Sequence, residues 1–297
     1  MQVQLENRVM SSLMLYVDHF VSEKGAAYAR HGSAFHQIEE NYEDYEVWAA
    51  PFKQMVCDDS VTYAIMLSGV YVNGSSSESS PSDGPSSADI AFINPYQGQV
   101  FFHADRNITS VSGDYEVKDF NVYLTNENEE ELLFETQFDI RPKVTQTPTG
   151  LASEKQTFPA IYIKNNGGTN EPFAFGGMDT TSINARMIVL ADSAFSLDAV
   201  CGILKDRAKD NMPVILEGAM PFNAAGGIRE SSYLDPPNVS YFNYKNLVRD
   251  HTEMNFFIEN AYVTKISPNR QFYKNINKDV FSAFIDFDLE TQRYPRA

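Results

Sequence analysis

Cysteine is nearly absent from this chain, with Cys57 and Cys201 alone among 297 residues. They can form one disulfide at most and make no C-x-x-C or zinc spacing, which excludes a disulfide-built scaffold. Two reduced, buried thiols are expected, because free cysteine packs as a small hydrophobe. Basic residues are scarce too: 23 stand against 40 acidic ones, for a formal net charge of −17. Net attraction to phosphate backbones or anionic lipid is not expected, although a local basic patch remains compatible with the count. Long apolar runs are missing, and Glu6, Arg8, Ser11 and Ser12 interrupt the N-terminal stretch. Neither a secretory signal nor a membrane span is expected, and synthesis in a cytoplasm is the default. No internal repeat of useful period occurs.

What is present is a globular composition, 43% hydrophobic and 13% aromatic, long enough for one large or two smaller domains. From Val70 to Ile140 apolar and polar residues alternate between turn signals with little helical period. Val70-Tyr71-Val72 runs into the turn dipeptide Asn73-Gly74. Gly98 to Phe102 and Tyr115 to Val117 are extended runs bounded by Asn94-Pro95 and Ser112-Gly113-Asp114. Leu132, Phe134, Thr136, Phe138 and Ile140 share one face of a further strand, opposite Glu135, Gln137 and Asp139. The apolar phase slips between Tyr115, Val117 and Phe120, Val122, Leu124, which predicts a bulge or strand break near Lys118-Asp119. Ala160 to Lys164, Ile183 to Leu190, Phe256 to Ile266 and Phe281 to Leu289 continue the extended pattern.

Two stretches read as helical. Leu5, Val9, Leu13, Tyr16, Val17 and Phe20 fall three or four apart, with Gly25 as a stop. Ser196 caps a second helix, with Leu197, Val200, Cys201, Leu204 and Ala208 on one face and Pro213 marking its end. Tyr28 to Glu46 reads as a solvated acidic and aromatic loop, with Trp48 buried after it. Asn73 to Asp89, mostly serine, predicts a long mobile loop inside one domain. Asn126 to Glu131 reads as an acidic hairpin tip, and Arg141 to Gln156 as a Pro/Thr-rich connection.

The expected fold is therefore α+β and β-dominated, with antiparallel sheets in a sandwich or barrel, an N-terminal amphipathic helix and one internal helix near 196–210. Its parts are a helix over 1–25, a β-rich domain over 26–145 carrying the Ser-rich loop 73–89, and a second β-rich half over 146–297. The alternative is that the two β-rich parts form one continuous domain.

Candidate chemistry is thin. His31 and His36 are five apart and lack the H-E-x-x-H pattern of a zinc protease, so no metal site is expected. His103, and His251 beside Asp250, could each supply one corner of a triad, but no G-x-S-x-G accompanies them, and His19 adds no motif. The glycines of Asn166 to Gly177 lack Gly-Lys-Ser/Thr and G-x-G-x-x-G spacing and read as strand turns. Asp58-Asp59 and Asp286-Phe287-Asp288 are possible carboxylate pairs, at a density that chance supplies in an acidic chain. No catalytic residue and no cofactor is expected.

Three segments carry a resemblance. Gly69-Val70-Tyr71-Val72-Asn73-Gly74, then Asn94 to Phe102, then Ser112 to Leu124 with its Gly113-Asp114-Tyr115-Glu116-Val117-Lys118-Asp119-Phe120, are similar to virion proteins of tailed bacteriophages associated with the neck or tail. Asn170 to Gly177 and Ser196 to Val214 fit the same pattern, and the serine-rich insertion after Asn73 departs from it. The resemblance implies a non-enzymatic component of the virion, assembled in the host cytoplasm, most naturally a ring oligomer at the neck or head–tail junction. A tail or baseplate position is the near alternative. Its implied partners are copies of itself and other neck or tail proteins, with no membrane and no specific nucleic acid beyond DNA in passage through the assembly. Sheet edges, the N-terminal helix and aromatic side chains would make the contacts, with Leu13, Tyr16, Phe20, Tyr42, Tyr45 and Trp48 as candidates. Two other readings stand beside it: a carbohydrate-binding β-domain using Trp48 and exposed tyrosines, and a hydrolase using scattered carboxylates.

Overall fold

The computed structural model describes residues 4–38, 45–64, 68–73, 90–103, 108–127, 129, 132–133, 159–173, 177–222, 228, 241–266 and 280–294. The Pro/Thr-rich connection, Tyr42 and all but the first residue of the Ser-rich loop lie outside these residues, as does 134–140.

The chain opens with α1 (Leu5–Gly25), whose Val9, Leu13, Tyr16, Val17 and Val21 are buried along one side. Asn7 Oδ1 accepts from Gln4 N–H at its start, and Ala26 closes it in the left-handed conformation. A first sheet follows, built from β1 (Tyr28–Gln37), β2 (Tyr45–Ala49), β3 (Ser68–Val72), β4 (Ile90–Asn94), β5 (Gln99–His103) and β6 (Val111–Lys118). Its order is β3-β6-β1-β2-β5-β4, and every pairing is antiparallel. Most of β1 pairs with β6, while its last residues, His36 and Gln37, pair with β2, so this one strand joins two three-stranded parts into a curl. Tyr28 to Gln37 is thus a strand near the middle of a sheet and not a loop. Its polar side chains alternate with Phe35, which lies in the core beside Trp48, Phe102, Tyr115 and Val117. Ser112-Gly113-Asp114, expected as a turn, is extended inside β6.

At Asp119-Phe120 the chain breaks out of the first sheet and enters the second, where the apolar phase slips. The second sheet contains β7 (Asn121–Leu124), β8 (Ala160–Pro172), β9 (Asp179–Ala191), β10 (Asn211–Ile215), β11 (Thr252–Ile266) and β12 (Phe281–Arg293). The order is β10-β11-β12-β9-β8-β7, antiparallel except for the parallel β7–β8 pair. The fold is β-dominated, as expected. Sheet membership changes at Asp119, ahead of the Pro/Thr-rich connection, and α1 packs on the second sheet.

One face of this second sheet carries Ile161, Ile163, Met187, Val189, Ile285, Phe287 and Leu289, covered by α1 and by α2 (Ala194–Lys205). Fully burying such side chains stabilises by about 1.5–3 kcal/mol each. The cap of α2 is Ser193, three residues earlier than the sequence suggests, and its hydroxyl accepts from Ser196 N–H at 3.1 Å. Pro213 is in β10, not at a helix end. Leu132 and Leu133 are helical and not extended, and Leu132 packs on the opposite face against Ala160, Tyr162, Ile188 and Leu190. A short α3 (Tyr244–His251), unforeseen from the sequence, is capped by Asn243, whose side chain accepts from Asn246 N–H. No described helix is long and apolar enough to cross a membrane.

Candidate functional site

The two sheets meet along a seam whose contents are polar. After β2 the chain runs Lys53 to Ser60 through the interior, stitched on one side to β6 and on the other to the strand-like step before α3. Val56 N–H donates to Glu116 O at 2.8 Å, Lys118 N–H to Gln54 O at 2.9 Å, and Phe242 N–H to Cys57 O at 2.8 Å. Lys53, Gln54, Asp58 and Ser60 are consequently buried, as are Asp18, His19 and Ser22 of α1 and Lys118 at the end of β6.

Asp18, His19, Asp58, Ser60 and Lys118 are linked in two groups. Lys118 Nζ donates to both oxygens of Asp18, at 2.8 and 2.7 Å, tying β6 of the first sheet to the helix on the second. Burial pulls the Lys118 ammonium toward deprotonation, but the Asp18 carboxylate outweighs it and holds the group above its ordinary value. His19 Nδ1 lies 2.7 Å from Asp58 Oδ2, and its ring stacks on Tyr244 at 4.6 Å between centroids. Asp58 Oδ1 accepts from Ser60 N–H at 2.9 Å, Ser60 Oγ–H at 2.6 Å and Tyr244 N–H at 3.0 Å. One carboxylate therefore fastens α1, the buried segment and α3 together. Nearby, Tyr16 O–H donates to Asp210 at 3.2 Å.

An Asp–His pair with a serine beside it suggests a hydrolytic triad, and the geometry is wrong for one. Ser60 Oγ bonds the carboxylate and approaches the same imidazole nitrogen, Nδ1, that Asp58 occupies, at 3.5 Å. A nucleophile must sit on the other ring nitrogen and face a cleft. Cys57 in the same seam is inert as well, because burial pushes its thiol up to about 12 and leaves almost no thiolate at neutral pH. Both cysteines are buried and unpaired.

The other sequence candidates are dispersed. Asp59 is exposed while its neighbour Asp58 is buried, so they do not act as a pair. Asp286 and Asp288 do share a face of β12, the one turned away from α1. Asp286 is held by Arg186 through Nε at 2.6 Å and a terminal nitrogen at 3.1 Å, and Arg186 also reaches Glu129 at 2.6 Å. These hydrogen bonds raise the guanidinium further above its already high value. Asp288 accepts from Asn260 at 3.2 Å. His31 lies tilted against the Phe52 ring and His103 against Tyr45, and Asp250 is paired with Arg249. Among the described residues no three metal-ligating side chains converge. The glycine stretch is a bulge in β8, with Gly167 at φ +89° and Gly168 so close to β9 that a Cβ would stand 2.0 Å from Ser182 O.

Of the candidate contact residues, Leu13, Tyr16 and Trp48 are taken up by the chain's own core, at 0%, 1% and 6% exposure. Phe20 is half-buried under Arg207, whose guanidinium lies 4.7 Å from the ring centre, and Tyr45 is half-buried against Phe101. What the molecule exposes instead is sheet edge. Among the described residues no strand flanks β8 beyond the end of β7, from Lys164 to Pro172, or β11 beyond β10, from Glu259 to Ile266. Beside the first of these lies a groove of about 890 Å³, lined by Asn7, Asn126, Asn165, Asn170, Thr181 and Arg293 among others.

Sequence reasoning missed Asp18 and His19, and the signal was present. Asp18, His19 and Ser22 lie within one turn of one another, so α1 has a second, polar patch that is also buried. The partners Asp58, Lys118 and Tyr244 had no such signal, since the fold alone brings them together. Compared with known proteins, the chain matches no family model and no curated protein.

Proposed function

We propose that this chain is a non-enzymatic structural component of a tailed bacteriophage particle, working as an oligomeric ring protein at the neck or head–tail junction. The reading begins from the resemblance carried by Gly69–Gly74, Asn94–Phe102 and Ser112–Leu124. The observation that carries it is the seam: its Asp58–His19 and Asp18–Lys118 pairs, groups that would suit proton transfer in an open cleft, are buried and engaged in joining the two sheets. Surfaces left to the outside are sheet edges and a polar sheet face, which suit contact with other chains. The net charge of −17 gives a lining that repels DNA passing through such a ring. Electron micrographs and the solution mass of the purified chain test this. A ring of several copies around an opening is expected; a lone molecule that converts a small compound overturns it.

One observation favours a second reading, carbohydrate binding. The groove beside β8 is lined mainly by amides and hydroxyls, the groups that bond sugar hydroxyls. Trp48, the earlier stacking candidate, is buried away from it. Glycan binding lost on replacing Asn170 and Thr181 together would favour this reading over the first.

A further inference from the structure

The open length of β8 is its own complement. It reads Lys164-Asn165-Asn166-Gly167-Gly168-Thr169-Asn170-Glu171. Laid antiparallel against an identical strand, with a two-fold axis between Gly167 and Gly168, it sets Lys164 opposite the partner's Glu171. Asn165 then meets the partner's Asn170, and Asn166 the partner's Thr169. Both ends of the ladder carry opposite charges.

The faces agree as well. On β9, Lys164 lies opposite Arg186 and Glu171 opposite Thr180, while Asn165 lies opposite Ala185 and Asn170 opposite Thr181. The single bulge between Asn165 and Gly168 puts Lys164 and Glu171 on one side of the sheet and the two asparagines on the other. A two-fold axis perpendicular to the sheet therefore brings each pair together on one side. At the axis Gly167 and Gly168 carry no Cβ, so two backbones can approach closely.

The open end of β11 fits less well. In an antiparallel head-to-tail pairing, Lys164 would lie near Lys265 and Glu171 near Glu259. Lys265 and Glu259 are already engaged within the chain, with Asp198 and Lys209. Lys164 and Glu171 have no ion-pair partner among the described residues, and Glu171 is exposed.

We infer that two copies of this chain pair through the open edge of β8, continuing the six-stranded sheet of one into that of the other. The partner's strand leaves the sheet at Glu171, because Leu124 and Thr125 N–H, the latter bonded to Ile163 O at 2.9 Å, already take the edge at Ile163 and Pro172 offers no N–H to extend the ladder. There the partner's Phe173 arrives beside Leu124, which accounts for two apolar side chains left 57% and 40% exposed in the single chain. The contact does not rest on the virion reading. A two-fold pair closes on itself, so a ring needs another surface, and a dimer without rings would support this contact while opposing the ring.

Sedimentation equilibrium on the whole chain tests it. The unaltered protein should show a mass of twice 33.4 kDa. Lys164→Glu alone and Glu171→Lys alone each place like charges at both ends of the ladder and should weaken the dimer by about ten-fold or more. Mixed in equal amounts, the two variants should re-associate, since every reversed charge then meets an unlike one. Far-UV circular dichroism shows that each variant is folded. A protein that stays monomeric at its highest soluble concentration overturns the proposal, as does a dimer indifferent to either reversal or a mixture of folded variants that fails to pair.

Discussion

The two sheets solve the same burial problem at different lengths. Four strands of the first sheet are five residues long, and its core is a single cluster around Trp48, Phe102 and Tyr115. In the second sheet β8, β9, β11 and β12 run 13 to 15 residues, longer than the helices above them can cover. Met187 to Ala191 is therefore buried on both faces, whereas the other end of the same strand alternates between inside and outside. The short sheet spends itself on its own core. The long sheet has length to spare, and the surplus becomes open edge and wet face.

Between them lies the seam, and breaking it has the largest expected effect. Lys118→Met leaves the Asp18 carboxylate buried without its cation and should cost about 3–5 kcal/mol in urea denaturation. Adding Asp18→Leu to the same chain should recover most of that loss, because a well-packed apolar pair can replace a buried ion pair. Next come the two cores. Phe102→Ala in the first sheet and Phe287→Ala in the second should each cost about 3–5 kcal/mol, and with the seam intact both should shift one shared transition. Ser193→Ala removes the cap of α2 and should cost about 1 kcal/mol, read as a lower urea midpoint with an unchanged slope.

The smallest effect is an acid one. Desolvation pushes Glu23 upward, but hydrogen bonds from Thr62 N–H and Oγ–H, with Lys245 beyond them, outweigh it and hold the carboxyl below its usual 4.5. A depressed carboxylate adds stability above its unfolded value and loses it as pH falls through the folded one. Glu23→Gln should therefore lower stability by about half a kcal/mol at pH 7 and by nothing once the pH is well below 4.5. Urea midpoints across that range check it.

Much of the long sheet was legible and much of the short one was not, for a physical reason. Phe281 to Leu289 alternates because one face of β12 is buried at nearly every second residue, and Leu5 to Gly25 keeps a helical period because α1 lies flat on that sheet. The break at Lys118-Asp119 could be read because changing sheets reverses which parity faces inward. By contrast, β1 carries Arg30, His31, Gly32 and Ser33 in a curled sheet that buries few of them, so nothing in its pattern separates it from a loop. In the sequence Leu132 joins the alternation that runs on to Ile140, yet it is helical with Leu133, and two adjacent leucines carry no period that tells helix from strand. The seam was the least legible part. His19 and Asp58 are 39 residues apart, Asp18 and Lys118 100 apart, and only the completed fold explains why they are buried.

Trp48, the sole tryptophan, lies in the first sheet, whereas α1, α2, α3 and the longest strands, which give most of the far-UV circular dichroism, belong to the second, so urea unfolding followed by both signals weights the two sheets differently. In the unaltered chain the two curves should coincide, and in Lys118→Met the tryptophan curve should part from the dichroism curve as the sheets lose their shared ion pair. Two curves that still coincide at an unchanged midpoint in that variant would contradict the claim that this buried chemistry serves to hold the molecule together.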